Sequence, residues 1–184
     1  MEEKYNVFCD LVKDQFAYGG KKYALSTSAT KESTDVLFEI YGKNWLFGTM
    51  AKYIFRYRNL ARERDLLKVA TYCYIMWLKR GFFLKPEGTE EIIDTNVQIK
   101  TSFFDNFIAK VKATDFELIK DVDLYGAEAI LKTFAETEFF HINEKDIIKL
   151  FDCMYNEWLN SFSDKAGMDK DTWNKENFNG TKKC

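Results

Sequence analysis

The sequence predicts an all-α protein, and three properties of the 184-residue chain support this prediction. It contains only 9 Gly, which argues against an all-β chain with many tight turns, and only 1 Pro, which argues against a Pro-rich disordered chain. Apolar residues recur at helical spacing through most of the chain. Apolar residues make up 46% of the sequence and charged residues 30%, a composition typical of a soluble domain with a hydrophobic core.

The N-terminal helix is predicted over residues 4–17, where apolar side chains share one helical face. Glycine commonly ends helices, so Gly19 and Gly20 are expected to stop this helix. The small and polar residues 24–32 then predict a loop.

Two helices are predicted between this loop and Asn59, which marks a break. The first is short, begins at Ser33 or Thr34 as its cap, and ends at Gly42. The second covers residues 44–58. Five residues are predicted to form its inner side: Trp45, Phe47, Ala51, Ile54 and Phe55.

The fourth helix, from about Arg62 to Phe82, is predicted to be the most buried element. It is apolar on most sides between Val69 and Leu78, which is typical of a central helix. Gly81 is expected to end it.

Further helices are predicted in the C-terminal half, over 89–112, 125–138 and 143–162. Asn143 is expected to open the last of these, with Asp146 in its first turn.

The segment Lys85-Pro86-Glu87-Gly88 is the clearest break in the chain. It predicts three parts, which are a four-helix core over 1–85, a helical extension over 86–162 and a polar tail over 163–184.

Cysteine and hydropathy patterns predict a cytoplasmic protein. The four cysteines are widely spread and form no CxxC motif, so we expect free thiols in a reducing compartment. No signal peptide is evident, and the most apolar stretch, 69–78, is far shorter than the ~20 residues of a membrane span. The single His leaves carboxylates as the plausible metal ligands.

Charge is distributed unevenly along the chain, although the net charge is only −2. Residues 43–68 contain seven basic and two acidic residues, whereas residues 86–152 contain seven basic and fifteen acidic ones. A basic cluster among aromatic residues favours an anionic ligand.

Phosphate is the natural anion for the basic cluster, because Lys52 and Arg56 are four residues apart and share a helix face. Nearby, Tyr53 and Tyr72 are candidates for stacking on a nucleobase, although core packing is the alternative. Asp65 is interpreted as a dipole partner at the helix start, a salt-bridge partner for a neighbouring Arg, or a metal ligand.

Several short motifs occur in an order that resembles a known family. GTMAKYIFRYRN followed by DLLKVATY is similar to the pattern G-x-x-x-K-Y-I-x-R…D-L-x-K-A-x-x-Y of small helical phage domains. Upstream, YGGKKY resembles G-x-x-K-Y-G, KESTD resembles K-S-T-D, and Asn44-Trp45 resembles a following N-W. Together these motifs, over roughly 15–82, resemble the MazG-like all-α nucleoside triphosphate pyrophosphohydrolases, in particular the phage dATP/dGTP diphosphohydrolase-like proteins.

The resemblance implies a homo-oligomeric helical enzyme that binds Mg²⁺ or Mn²⁺ and cleaves a dNTP or NTP between its α and β phosphates. A metal-bound water would attack, without a covalent intermediate. The implied metal ligands are Asp35, Glu39 and Asp65, of which Glu39 and Asp65 are the catalytic candidates. The implied phosphate-binding residues are Lys52, Arg56 and Lys22.

The carboxylate pattern departs from the family, which carries E-x-x-E on one helix and E-x-x-D on the next. Here Glu32-x-x-Asp35 and Glu39 fill the first place, and Arg62 stands where the second motif has Glu. Two alternatives therefore stay open. The chain is a non-catalytic nucleotide-binding or interaction protein, or its basic helix pair binds nucleic acid. The net charge of −2 and the lack of a recognisable nucleic-acid module make nucleic acid the weaker alternative.

Overall fold

The computed structural model describes residues 2–23, 33–82, 103–114 and 123–163, and every regular element in these ranges is a helix. This confirms the all-α prediction. The α-helices are α1 (Glu2–Tyr23), α2 (Ser33–Leu60), α3 (Glu63–Arg80), α4 (Phe104–Ala113), α5 (Leu124–Glu136) and α6 (Glu144–Phe162), and a 3₁₀ turn (Phe139–His141) joins the last two.

Helix α3 lies at the centre of the fold, as predicted. It packs against α1, α2, α4 and α6, and its most extensive contact is with α6. It buries more of its residues than any other described helix, including Tyr74, Met76 and Trp77. Gly81 ends the helix with φ 73°, and its N–H donates to the carbonyl of Leu78 at 2.9 Å.

Helix α1 continues through Gly19 and Gly20, so the prediction that they stop it is wrong. A glycine inside a helix costs only about 0.5–1 kcal/mol relative to Ala. The packing of the apolar face offsets that cost, because Phe8 and Phe16 are buried and the Phe16 ring meets Tyr74 edge-on at 5.1 Å.

Helix α2 is interrupted at Gly42, where φ is 60° and ψ is −150°. The predicted break at this glycine is therefore confirmed, although the helical segments on either side follow each other directly. The predicted inner side is partly wrong, because Ala51 is exposed and the Phe55 side chain is 69% exposed. Helix α2 carries apolar residues on all of its sides, and its contacts with α3 and α5 decide which of them are buried.

Helices α5 and α6 each begin at a residue whose side chain caps the helix. Asn143 accepts a hydrogen bond from the N–H of Asp146 at 2.8 Å and opens α6 as predicted. Asp123 caps α5 in the same way, accepting from the N–H of Gly126 at 2.9 Å. The described part of the predicted helix over 89–112 is α4, and the residues before 103 lie outside the described ranges.

Helices from both halves of the chain share one hydrophobic core. The Phe107 ring on α4 packs against Trp77 of α3 and Phe151 of α6, at centroid distances of 5.5 and 5.2 Å. Trp158 on α6 donates its indole N–H to Glu63 at the start of α3, at 2.7 Å. The predicted boundary at 85/86, the loop 24–32 and nearly all of the tail fall outside the described residues.

The core also contains the carboxyl group of Asp152 on α6, which is 0% exposed. Its Oδ1 accepts a hydrogen bond from the Tyr5 hydroxyl of α1 at 3.0 Å. Its Oδ2 is buried with no hydrogen-bond partner among the described residues. Burial away from water disfavours the charged form and raises the pKa of Asp152 to about 7.

Three cysteines lie in the described ranges, namely Cys9, Cys73 and Cys153, and all three are buried free thiols. Burial raises the pKa of Cys9 and Cys153 to about 12 each, so both are protonated at neutral pH. Among the described helices, none has the length and apolar character needed to cross a membrane.

Candidate anion-binding site

The junction of α2 and α3 positions the basic cluster. Helix α2 ends at Leu60, Ala61 adopts a positive φ of 47°, and Arg62 is extended before α3 begins. This tight reversal places the last turns of α2 beside the first turns of α3. Side chains from the two helices therefore converge on one surface.

Three cationic side chains surround the ring of Tyr53, which is half-buried. The ammonium groups of Lys52 and Lys68 lie 4.8 and 4.5 Å from the ring centroid, and the guanidinium carbon of Arg56 lies 5.0 Å from it. Each contact is a cation–π attraction worth roughly 0.5–1 kcal/mol at an exposed site. The ring thus helps to hold three like charges close together.

The Arg56 guanidinium also forms an ion pair with Asp65, whose side chain is 0% exposed. Its Nε donates to Oδ2 at 2.7 Å, and its Nη2 donates to Oδ1. The hydrogen bond from Arg56 to Asp65 is the main cause of the raised pKa of Arg56. Two of the three predicted roles of Asp65 are compatible with this geometry, because the residue lies in the first turn of α3 and pairs with Arg56.

The structure does not bring Asp35, Glu39 and Asp65 together. Asp35 pairs with Lys79 near the end of α3 at 2.9 Å, whereas Asp65 lies in the first turn of the same helix. At 1.5 Å rise per residue, those two positions are about 20 Å apart along the axis. Glu39 is exposed on the first segment of α2.

Within the described ranges, no three His, Cys, Asp or Glu side chains lie close enough to hold a metal ion. The predicted carboxylates therefore do not fit a shared Mg²⁺ or Mn²⁺ site. Two of the three carboxylates, one near each end of α3, already pair with a cation. Asp35 pairs with Lys79, and Asp65 pairs with Arg56.

The remaining predicted site residues are two tyrosines and one lysine. Tyr53 and Tyr72 stack on each other, with centroids 6.2 Å apart and planes at 22°, and Trp45 meets Tyr72 edge-on at 5.9 Å. Lys22 belongs to the last turn of α1, and its side chain lies outside the described part of the structure.

The structure adds Lys68 to the site, a residue that the sequence prediction missed. It lies one turn after Asp65 on α3, and its ammonium also reaches the Tyr53 hydroxyl at 3.4 Å. The signal in the sequence was the spacing, since residues three apart on a helix share a face.

Other basic residues of the segment 43–68 have structural partners. Lys43 donates to the carbonyls of Ala135 and Thr137 at the end of α5, at 2.9 and 2.5 Å. Arg58 pairs with Glu128 of α5 at 2.5 Å. Some of the basic side chains of this segment therefore hold α2 against α5 through hydrogen bonds and an ion pair.

Comparisons with known proteins give no further guide, because no protein-family model, curated protein or solved structure matched this chain.

Proposed function

We propose that the chain binds a nucleoside di- or triphosphate through Lys52, Arg56 and Lys68. The observation that supports this proposal is the convergence of the three cations on one tyrosine ring, at 4.5–5.0 Å from its centroid. Three positive charges gathered around one ring repel one another, and the carboxylate of Asp65 forms its ion pair with Arg56. An anion carrying several charges relieves that repulsion.

The hydrogen-bonding capacity of the three side chains matches phosphate. Asp65 engages Nε and Nη2 of Arg56, and a guanidinium has five N–H donors in total, so further donors remain for a ligand. Each ammonium adds three rotatable donors. Lysine acts on phosphate as a point charge and arginine as a planar fork, so the set suits a polyphosphate.

Calorimetric titration of ATP and GTP into the protein tests this proposal. A Lys52→Gln/Lys68→Gln variant is expected to weaken binding at least about 10-fold, since charge-assisted hydrogen bonds are lost. A Lys132→Gln/Lys145→Gln variant is the matched control, because it removes the same charge from exposed positions on α5 and α6. Equal affinities for the two variants, or a wild-type protein that binds neither nucleotide, would contradict the proposal.

Hydrolysis of the bound nucleotide to a monophosphate and pyrophosphate is a second proposal. The motif order in the sequence favours it, whereas the separated carboxylates weigh against it. Incubation with Mg²⁺ or Mn²⁺ and each dNTP and NTP, followed by a pyrophosphate assay, tests it. Binding without pyrophosphate release would leave a nucleotide-binding protein that does not catalyse this reaction.

A homo-oligomer in the cytoplasm is also proposed. The buried free thiols of the described cysteines suit a reducing compartment. The basic surface of one copy and the acidic C-terminal half of another are complementary in charge, so self-association should weaken as salt is raised. Sedimentation at low and high ionic strength measures this.

A further inference from the structure

A second cluster of cationic and aromatic side chains lies at the C-terminal end of α3. The guanidinium carbon of Arg80 lies 4.6 Å from the ring centroid of Phe82 and 5.8 Å from that of Phe140. The Nε of Arg80 donates to the carbonyl of Ile142 at 2.8 Å, which attaches the arginine to the end of the 3₁₀ turn. In that turn the Phe139 ring meets Phe140 edge-on at 5.6 Å. We call Arg80, Phe82, Phe139 and Phe140 together the Arg80 surface.

The guanidinium of Arg80 has no carboxylate partner among the described residues. The adjacent Lys79 takes the Asp35 carboxylate at 2.9 Å, and the Glu138 carboxylate lies 3.6 Å from Nδ1 of His141. Burial lowers the pKa of Arg80 from its usual value, but an arginine stays charged at neutral pH. Its hydrogen bond to the turn uses Nε, so both terminal nitrogens keep their donors for a ligand.

Arg58 provides an internal comparison at the end of α2. Its guanidinium carbon lies 4.4 Å from the ring centroid of Tyr125, which is 74% exposed, whereas Phe140 is 72% exposed. Arg58 also pairs with the Glu128 carboxylate at 2.5 Å. The two arginines thus have similar aromatic surroundings, but only Arg58 has a carboxylate partner in the described part of the chain. A carboxylate is therefore the group that would complete the surroundings of Arg80.

The openness of the Arg80 surface favours a protein over a small molecule as its ligand. Pockets for small ligands enclose roughly 70–90% of the ligand surface, whereas Phe140 is 72% exposed. Aromatic residues and arginine are enriched at the centres of protein–protein interfaces. Phe38 of α2 extends the aromatic surface, since its ring lies 5.1 Å from that of Phe139. Charge complementarity then requires an acidic group on the partner, with apolar side chains to cover the rings.

We propose that the Arg80 surface is a docking site for a different protein that presents an aspartate or glutamate beside apolar side chains. The partner's carboxylate accepts hydrogen bonds from the terminal nitrogens of Arg80, and its apolar side chains pack on the rings of Phe82 and Phe140. This site is separate from the candidate anion-binding site. Arg80 ends α3, whereas Asp65 lies in its first turn, about 20 Å away along the axis.

Selection of a random peptide library on the wild-type protein tests this proposal. The binding peptides are expected to share an acidic residue next to an apolar one. Such a peptide should bind Arg80→Gln at least about 10-fold more weakly, and Phe140→Ala at least about 5-fold more weakly, by fluorescence anisotropy. Arg58→Gln and Tyr125→Ala are the matched controls and should bind it as the wild type does. They remove an arginine and an exposed ring from the comparison arrangement.

Four outcomes would overturn the proposal. The selection yields no binding peptide, or the selected peptides bind Arg80→Gln as tightly as the wild type. Replacing the acidic residue of a selected peptide by its amide leaves the affinity unchanged. In sedimentation the wild type self-associates and Arg80→Gln does not, which would assign the surface to a second copy of this chain. Because Phe140 is exposed, Phe140→Ala should keep the wild-type melting temperature, which excludes unfolding as the cause of weaker binding.

Discussion

Arg56 at the end of α2 and Asp65 at the start of α3 form a two-point ion pair across the helix junction. The carboxylate is fully buried, whereas 35% of the arginine side chain remains exposed. The pair thus holds one edge of the guanidinium toward the core and leaves part of it facing solvent. Asp65 positions Arg56 at the candidate site and closes the α2–α3 corner.

Breaking this pair from one side should cost more than removing it altogether. Arg56→Met leaves an uncompensated buried carboxylate and is expected to lower the free energy of unfolding by about 3 kcal/mol. Arg56→Met/Asp65→Leu removes both charges and should recover part of that loss. Urea unfolding measures the free energy of unfolding of both variants. Arg62→Met, at an exposed neighbouring position, is the control. A double variant that is less stable than Arg56→Met would show that the buried charge is not the cause.

The kink in α2 depends on Gly42, whose φ of 60° and ψ of −150° lie in a region that is essentially restricted to glycine. Gly42→Ala is expected to lower the free energy of unfolding by about 1–3 kcal/mol. Gly48→Ala, in the helical second segment and with no atom within 4 Å of the added Cβ, should raise it by about 0.5–1 kcal/mol. Thermal unfolding of the two variants checks the contrast. Equal effects of both substitutions would rule out backbone strain at Gly42 as the reason for the kink.

The buried carboxyl of Asp152 should make stability depend on pH. Its pKa rises from 3.8 when unfolded to about 7 in the folded protein, so the folded state binds a proton that the unfolded state releases in this range. The resulting stability is complete below pH 4 and is lost as the pH rises toward 7, by up to about 1.4 kcal/mol per pH unit.

Asp152→Asn removes the titrating group while keeping an oxygen for the Tyr5 hydroxyl. Its melting temperature should fall less than that of the wild type between pH 5 and pH 7. Tyr5, Cys9, Cys73, Cys153 and Tyr155 interact electrostatically with the carboxyl, and burial raises the pKa of each of them, so they do not titrate in this window. Parallel curves for variant and wild type would exclude Asp152 as the source of the dependence.

The N-terminus of α6 should depend on the side-chain oxygen of Asn143, which accepts from the N–H of Asp146. Asn143→Ala is expected to cost about 1 kcal/mol, whereas Asn143→Gly should cost only a few tenths. Chemical unfolding of the two variants provides the comparison. An alanine variant as stable as the glycine variant would mean that the cap contributes little here.

Much of the fold could be predicted from the sequence, because in α3 and α6 the apolar periodicity and the capping residues indicate the same helices. The apolar run of α3 and its terminal Gly81 predict both burial and boundary, and Asn143 with Asp146 predicts the start of α6. The end of α1 could not be predicted correctly, because the helix continues past Gly19 to Tyr23. Glycine weakens a helix by only about 1 kcal/mol, and tertiary packing decides whether the helix continues.

The inner face of α2 was harder to predict, because apolar residues occur all around this helix. Periodicity alone placed Ala51 and Phe55 inside, but both are exposed. The contacts of α2 with α3 and α5 bury Leu46 and Met50 together with Ile54, which the periodicity had placed inside correctly.

At the candidate site, the four-residue spacing predicted that Lys52 and Arg56 share one helix face, since both lie on α2. The separation of Asp35 from Asp65 depends on how α2 runs along α3, which spacing within a single helix cannot reveal. Spacing places Lys68 on the same face of α3 as Asp65, but its contact with Tyr53 depends on the packing of α3 against α2.

The central position of α3 also affects how the chain folds during its synthesis. The most extensive cover of α3 is α6, which begins only at Glu144, long after α3 ends at Arg80. A ribosome that adds about 5–20 residues per second needs roughly 3–13 s to make the intervening segment. During that time the apolar surface of α3 stays partly uncovered on the nascent chain and is open to chaperones. The native core can therefore close only after the last described helix has left the ribosome.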